Sequence, residues 1–120
     1  IDDMSWVNNE FLPIVQQRGK AVIDSRGASS ATSAAKAALD TVVACENPTR
    51  PGECFSAAVI TDGSYGLPDG IICGMPLMTT SDGNVEVVRD IALSEFAKEK
   101  IKISTNELIE ERSAVEDLLK

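Results

Sequence analysis

Apolar side chains near the start of the chain recur at three-, four- and seven-residue spacings. Val7, Phe11, Ile14, Val15, Val22 and Ile23 follow this rhythm, which puts them on one face of a helix over residues 5–25. Ser5 suits the helix start, where a hydroxyl accepts from an otherwise unpaired backbone N–H. Pro13 lacks a donor and clashes with the carbonyl of Asn9, so a kink or break is expected there, with Pro13 opening the second piece. Gly27 suits the end, where a left-handed conformation costs glycine least.

The pattern then changes. From Gly27 to Ala35 every residue is small: Gly27-Ala28-Ser29-Ser30-Ala31-Thr32-Ser33-Ala34-Ala35. A second helix is expected over residues 29–45, capped by Ser29 or Ser30. Its Ala31, Ala34, Ala35, Ala37, Ala38, Leu39, Val42 and Val43 make much of its surface apolar without protruding. Alanine forms helix readily. The stretch from Glu46 to Glu53, with Pro48, Pro51 and Gly52, reads as a loop.

From Phe55 the period becomes extended. Phe55–Thr61 and Ile71–Met78 are rich in apolar and β-branched residues and read as strands, joined by a turn-rich link from Asp62 to Gly70. Pro76 points to an edge or a bulge, since it cannot donate to a ladder. Ser81-Asp82-Gly83-Asn84 reads as a hairpin turn leading to a third strand over residues 85–89. Short links between three strands imply an antiparallel meander. Ser94 caps a short helix to about Lys100. Ser104 and Glu107 form a capping box for a last helix to the C-terminus, with Leu108, Ile109, Val115, Leu118 and Leu119 as its apolar positions. The order is helix, helix, three strands, helix, helix, an α+β chain with no internal repeat and no linker that would split it.

Composition narrows the function. The chain has 120 residues, a one-domain length, with 43% hydrophobic but only 4% aromatic residues. Its core must therefore be aliphatic. The net charge of −8 argues against nucleic acid and anionic membrane as partners, since both call for a basic face. No apolar run approaches the roughly 18 residues that span a bilayer. Cys45, Cys54 and Cys73 have spacings unlike a zinc site and read as reduced, buried thiols of a cytoplasmic protein; a Cys45–Cys54 bridge is the alternative. No metal is expected.

Histidine is absent altogether, which removes the commonest general acid–base and transition-metal ligand. Ser29, Ser30, Ser33 and Ser64 thus have no histidine to activate them, and Lys20 and Lys36 have the spacing of solvated helix positions. The glycines of Asp62–Gly66 do not form a phosphate-binding pattern. Asp82-Gly83-Asn84 resembles part of a calcium loop, but the downstream glutamate is wrongly placed. The small-residue segment keeps two readings. One is close packing of a second helix on an alanine face. The other is a helix N-terminus whose hydroxyls and N–H groups meet a polar or anionic ligand.

Val15-Gln16-Gln17-Arg18-Gly19-Lys20-Ala21-Val22-Ile23, followed by Arg26-Gly27-Ala28-Ser29-Ser30-Ala31-Thr32-Ser33-Ala34-Ala35, resembles the lactate/malate dehydrogenase family in its cytosolic malate dehydrogenase branch. Ser64-Tyr65-Gly66-Leu67-Pro68 is similar to that family's turn between C-terminal strands, and Glu107-Leu108-Ile109-Glu110-Glu111 to its final helix. The likeness covers almost the whole chain, in order.

The resemblance implies an NAD-dependent enzyme interconverting malate and oxaloacetate, of which residues 1–120 are the substrate domain. The NAD-binding Rossmann domain, the catalytic histidine, its aspartate partner and the substrate-binding arginines would all precede Ile1. On that reading the chain holds no catalytic residue and is inactive alone. Only Ser29 and Ser30 would approach substrate and nicotinamide, as pocket wall, while the alanine helix would pack against the partner subunit of a homodimer. Two other expectations stand beside it: a lactate dehydrogenase of malate dehydrogenase-like sequence, and a free-standing, non-catalytic self-association domain.

Overall fold

The computed structural model describes residues 3–118. The chain divides into two compact units, residues 1–39 and 40–120. The first is helical. Asp3 caps α1 (Met4–Trp6) by accepting the Trp6 N–H at 2.9 Å, so the start lies two residues before the expected Ser5. A π-helical turn, Val7–Phe11, then leads into α2 (Leu12–Arg26). Pro13 sits in the first turn of α2. As expected, it opens a second α-helical piece: the π-turn interrupts the α-helix just upstream, where the chain widens by a residue and the Leu12 N–H reaches the Val7 carbonyl. A π-turn is a common way to absorb such a clash. Gly27 ends α2 in the left-handed region at φ 72°, its N–H donating to the Ile23 carbonyl at 2.8 Å.

The apolar stripe expected on this helix is not buried here. Phe11, Ile14, Val15 and Ile23 are all exposed. The next helix, α3, runs Ala31–Glu46, two residues later than expected, and has no buried residue. Ser29 and Ser30 lie in the link before it.

The second unit holds the core. β1 (Phe55–Ile60), β2 (Ile72–Thr79) and β3 (Val85–Val87) form an antiparallel meander in the order β1-β2-β3, as the spacing implies. Alternate residues of β1 and β2 face one side. There Phe55, Ala57 and Val59 lie opposite Leu77, Met75 and Cys73. Met75 and Leu77, with Leu67, form the buried cluster, flanked by Tyr65, Val87 and Ile101. The other face, with Ser56, Ala58, Ile60, Ile72 and Gly74, is open to solvent.

Pro76 is neither at an edge nor in a bulge. It lies in the central strand, opposite Ser56. The β2–β3 register runs through Leu77–Val87, so the next pair inward is Pro76 with Val88. Val88 donates its N–H to the Pro76 carbonyl at 2.9 Å. The return bond needs an N–H that proline lacks. The Val88 carbonyl instead accepts the Tyr65 hydroxyl. This accounts for β3 ending at Val87 rather than Arg89, and for the location of a strained residue: among the described residues Tyr65 is the one non-glycine with positive φ, at 58°, a backbone state that costs of order 1 kcal/mol.

The hairpin turn closes as expected, with Gly83 at φ 81° and the Gly83 N–H donating to the Thr80 carbonyl at 3.0 Å. The cysteines are free, but none is buried: Cys54 is exposed and Cys45 and Cys73 are half-buried. The two tail helices are one. Ser94 caps α4 (Glu95–Ala114) by accepting the Ala97 N–H at 3.2 Å, and the helix passes through Ser104 without a break. The Ser-x-x-Glu spacing also fits a helix interior, and no glycine or proline interrupts it. Thr105 is buried within α4. A single-turn 3-10 helix follows at Glu116–Leu118; Leu119 lies outside the described residues.

Tyr65→Phe removes the donor to the Val88 carbonyl and is expected to cost about 1 kcal/mol in chemical denaturation. In a Pro76→Ala background that cost should shrink, because the restored N–H takes the same carbonyl; an equal cost in both backgrounds would contradict the link. A pH dependence follows as well. The hydroxyl and N–H of Ser64, and next the Arg89 guanidinium, hold the Asp62 carboxyl down at about 2 from 3.8, with Arg89 2.5 Å from its oxygen. A depressed carboxylate stabilises the fold above its ordinary value and loses that contribution as pH falls toward 2. Melting temperatures of the native chain and Asp62→Asn should therefore converge between pH 4 and about 2; a constant gap would be the contrary result.

Candidate functional site

The sequence directs attention to the link between α2 and α3. Gly27 turns the chain out of α2, and two residues later Ser29 and Ser30 lead into Ala31, the first residue of α3. Ser29 is exposed and Ser30 half-buried. The Ser33 hydroxyl, one turn on, lies 2.9 Å from Ser30 Oγ and 3.1 Å from the Ser30 carbonyl. Ser33 thus fixes Ser30 in place. At a helix start the first backbone N–H groups have no acceptor within the helix.

These serines line one side of an open groove of about 450 Å³, completed by Ser33 and Ala34. From α2 come Arg18, Gly19, Val22 and Ile23. The lining is thus three hydroxyls, one guanidinium and short apolar side chains. Such a lining can hydrogen-bond a polar ligand and attract an anion. It holds no group that exchanges a proton near neutral pH. Lys20, weighed as a base for these serines, is engaged with Asp24 at 2.6 Å.

Ser29 and Ser30 were legible from the sequence as candidates. Arg18 and Gly19 were not, because helix periodicity assigns Val22 and Ile23 to a core face and leaves their polar neighbours to solvent. The available signal was an interior glycine in an otherwise good helix-forming segment.

A second concavity, of about 400 Å³, lies in the other unit. Its walls are mainly apolar, from Tyr65, Leu67, Met75, Ile91, Leu93 and Ile101, with Lys100 and Ser104 as the polar side chains at its border. Lys100 sits over the Phe96 ring, 5.5 Å from its centre. No pairing of acid and base is present there. Among the described residues no cluster of three or more His, Cys, Asp or Glu side chains forms a metal cage, and no helix is long and apolar enough to cross a membrane.

Comparison with known proteins agrees with the fold. Residues 1–118 match the lactate/malate dehydrogenase alpha/beta C-terminal domain. A malate dehydrogenase from Magnetococcus marinus is 49% identical over 119 residues, which are 99% of this chain and 36% of that protein. The crystal structure of malate dehydrogenase from Naegleria fowleri superposes with a TM-score of 0.87 at 41% identity, covering 98% of this chain and 35% of that one. A lactate dehydrogenase from Trichomonas vaginalis, solved with NADH and oxamate, gives 0.86 at 26% identity, over 99% of this chain and 37% of that one. The chain spans about a third of the length of these relatives. By sequence over nearly its whole length, and by its helices and three-stranded antiparallel sheet, this chain belongs to the lactate/malate dehydrogenase family, as its alpha/beta C-terminal domain.

Proposed function

We propose that this chain is the substrate domain of an NAD-dependent malate dehydrogenase. The observation that carries the reading is the 49% identity to a malate dehydrogenase across the C-terminal domain match. The whole enzyme interconverts malate and oxaloacetate, with the hydride carried by the nicotinamide. Residues 1–120 are one domain of it, and a Rossmann domain N-terminal to Ile1 binds NAD. The residues present here fit that division. The sheet is a three-stranded antiparallel meander, without the strand–helix–strand unit or glycine-rich turn that cradles a dinucleotide.

What this chain contributes is a wall. Ser29 and Ser30 stand beside the dicarboxylate and the nicotinamide, close the pocket to water and leave room for a small, highly charged substrate. No residue of this chain takes up the substrate proton, which fits the absence of histidine. The protein is a cytoplasmic homodimer on this reading, and neither nucleic acid nor membrane is a partner of so acidic a chain. The exposed side chains of Ile60, Ile72, Leu39 and Val42, each more than half accessible, support a chain whose apolar surface is covered in the complete protein. A lactate dehydrogenase is the second reading, favoured by the likeness to the Trichomonas vaginalis enzyme at 26% identity.

The test is oxaloacetate-dependent oxidation of NADH by the full-length protein, with pyruvate as the competing substrate. Activity with oxaloacetate, and none from residues 1–120 alone, is expected; activity with pyruvate alone would favour lactate. In the same assay Ser30→Leu fills the pocket wall and should raise KM for oxaloacetate roughly tenfold or more. An unchanged KM would remove Ser30 from the wall.

A further inference from the structure

The concavity of about 400 Å³ in the second unit exists because β3 is short. The β2–β3 register runs only from Thr79 to Leu77, so β2 continues past the end of β3, and Cys73, Gly74 and Met75 line the space left beside it. The space runs from the core to the surface. Leu67 and Met75 in its lining belong to the buried cluster, whereas Ile91 is exposed. Leu93 and Ile101 of α4 extend the aliphatic wall.

The border carries a cation. Lys100 and Ser104 lie one helical turn apart on α4, where residues four apart share a face. The Lys100 ammonium stands 5.5 Å from the centre of the Phe96 ring. The ring face attracts the charge, yet the three N–H donors of the ammonium remain open to an anion. No ion pair of Lys100 is found among the described residues, although the chain carries 19 acidic side chains. A purely apolar cover would strip water from this ammonium and return no counter-charge, which is costly. A fitting occupant is therefore an apolar body that ends in an anion. The volume of about 400 Å³ lies within the range of small-molecule sites. We propose that this groove binds a medium-chain aliphatic carboxylate. Its chain lies on Leu67, Met75, Ile91, Leu93 and Ile101, and its carboxylate lies between Lys100 Nζ and Ser104 Oγ.

The experiment titrates octanoate into the full-length protein by calorimetry, with hexanoate and octanol as comparisons. Each methylene removed from water is worth about fourfold in affinity, so octanoate should bind about 15-fold more tightly than hexanoate. A charged hydrogen bond to the carboxylate should favour octanoate over octanol by about tenfold. Lys100→Met changes an exposed residue and removes only the charge. It should erase that preference and leave octanol binding unchanged. Because Cys73 lines the groove, octanoate should also slow its alkylation by iodoacetamide, read peptide by peptide, without protecting the exposed Cys54. Should Lys100→Met not fold, this footprint on the native protein decides. Absence of octanoate binding overturns the proposal and means that another part of the polypeptide covers the groove. A preference for octanoate that survives Lys100→Met overturns it too, as does a Cys73 left unprotected or protected no more than Cys54. The site calls for no dehydrogenase activity, so this titration and the oxaloacetate assay succeed or fail separately.

Discussion

Met75, Leu77 and Thr79 project from alternate positions of β2 away from water, each 2% exposed or less. Burial of an aliphatic side chain of this size is worth about 1.5–3 kcal/mol. Because side chains alternate along a strand, this single row decides which face of the sheet is the inner one. Phe55, Ala57 and Val59 must then turn the same way from β1, and Ile101 of α4 packs against the cluster they form. Thr79 closes the row with polar bonds. Its hydroxyl donates to the Ala44 carbonyl at 2.7 Å, its N–H donates to Thr49 Oγ1 at 2.8 Å, and its carbonyl accepts the Thr49 N–H at 2.8 Å. A buried hydroxyl without such partners would oppose folding. The end of α3 and the loop after it are thereby tied to the sheet.

The link from β1 to β2 has its own closure. Thr61, buried, donates from its hydroxyl to the Pro68 carbonyl at 2.5 Å and accepts the Ile71 N–H at 3.1 Å. Arg89 holds Ser64 and Asp62 from the far side. With Tyr65 bonded to the Val88 carbonyl, the link is attached at the point where proline ends the ladder. Pro76 is therefore tolerated in a central strand because a phenol from elsewhere in the chain supplies the missing donor.

Much of this was legible in the sequence. Runs rich in apolar and β-branched residues located the strands to within a residue or two, Asp82-Gly83 marked the hairpin, and Gly27 marked the end of α2. The errors have physical causes. Pro76 suggested an edge because sequence alone does not show that the neighbouring strand stops beside it. Ser104 and Glu107 suggested a new helix start because a capping box has the same spacing as one helix turn. The thiols were expected in a core, yet Cys54 lies at the surface and Cys45 and Cys73 are half-buried. Of the groove, the serines could be anticipated from the run of small residues, whereas Arg18 and Gly19 join them only through the turn at Gly27. The apolar stripe of α2 was readable, but its exposure was not: periodicity says which residues share a face, never what covers it.

On the proposed function, this domain shapes a pocket whose reacting groups come from another part of the same protein. Reading the gene upstream of Ile1 tests it most directly. An open frame continuing for about 150 to 200 residues is expected, with a glycine-rich strand–helix turn and a histidine before the junction. A start codon immediately before Ile1 would contradict it, because the family's fold would then stand here without the residues to run its chemistry.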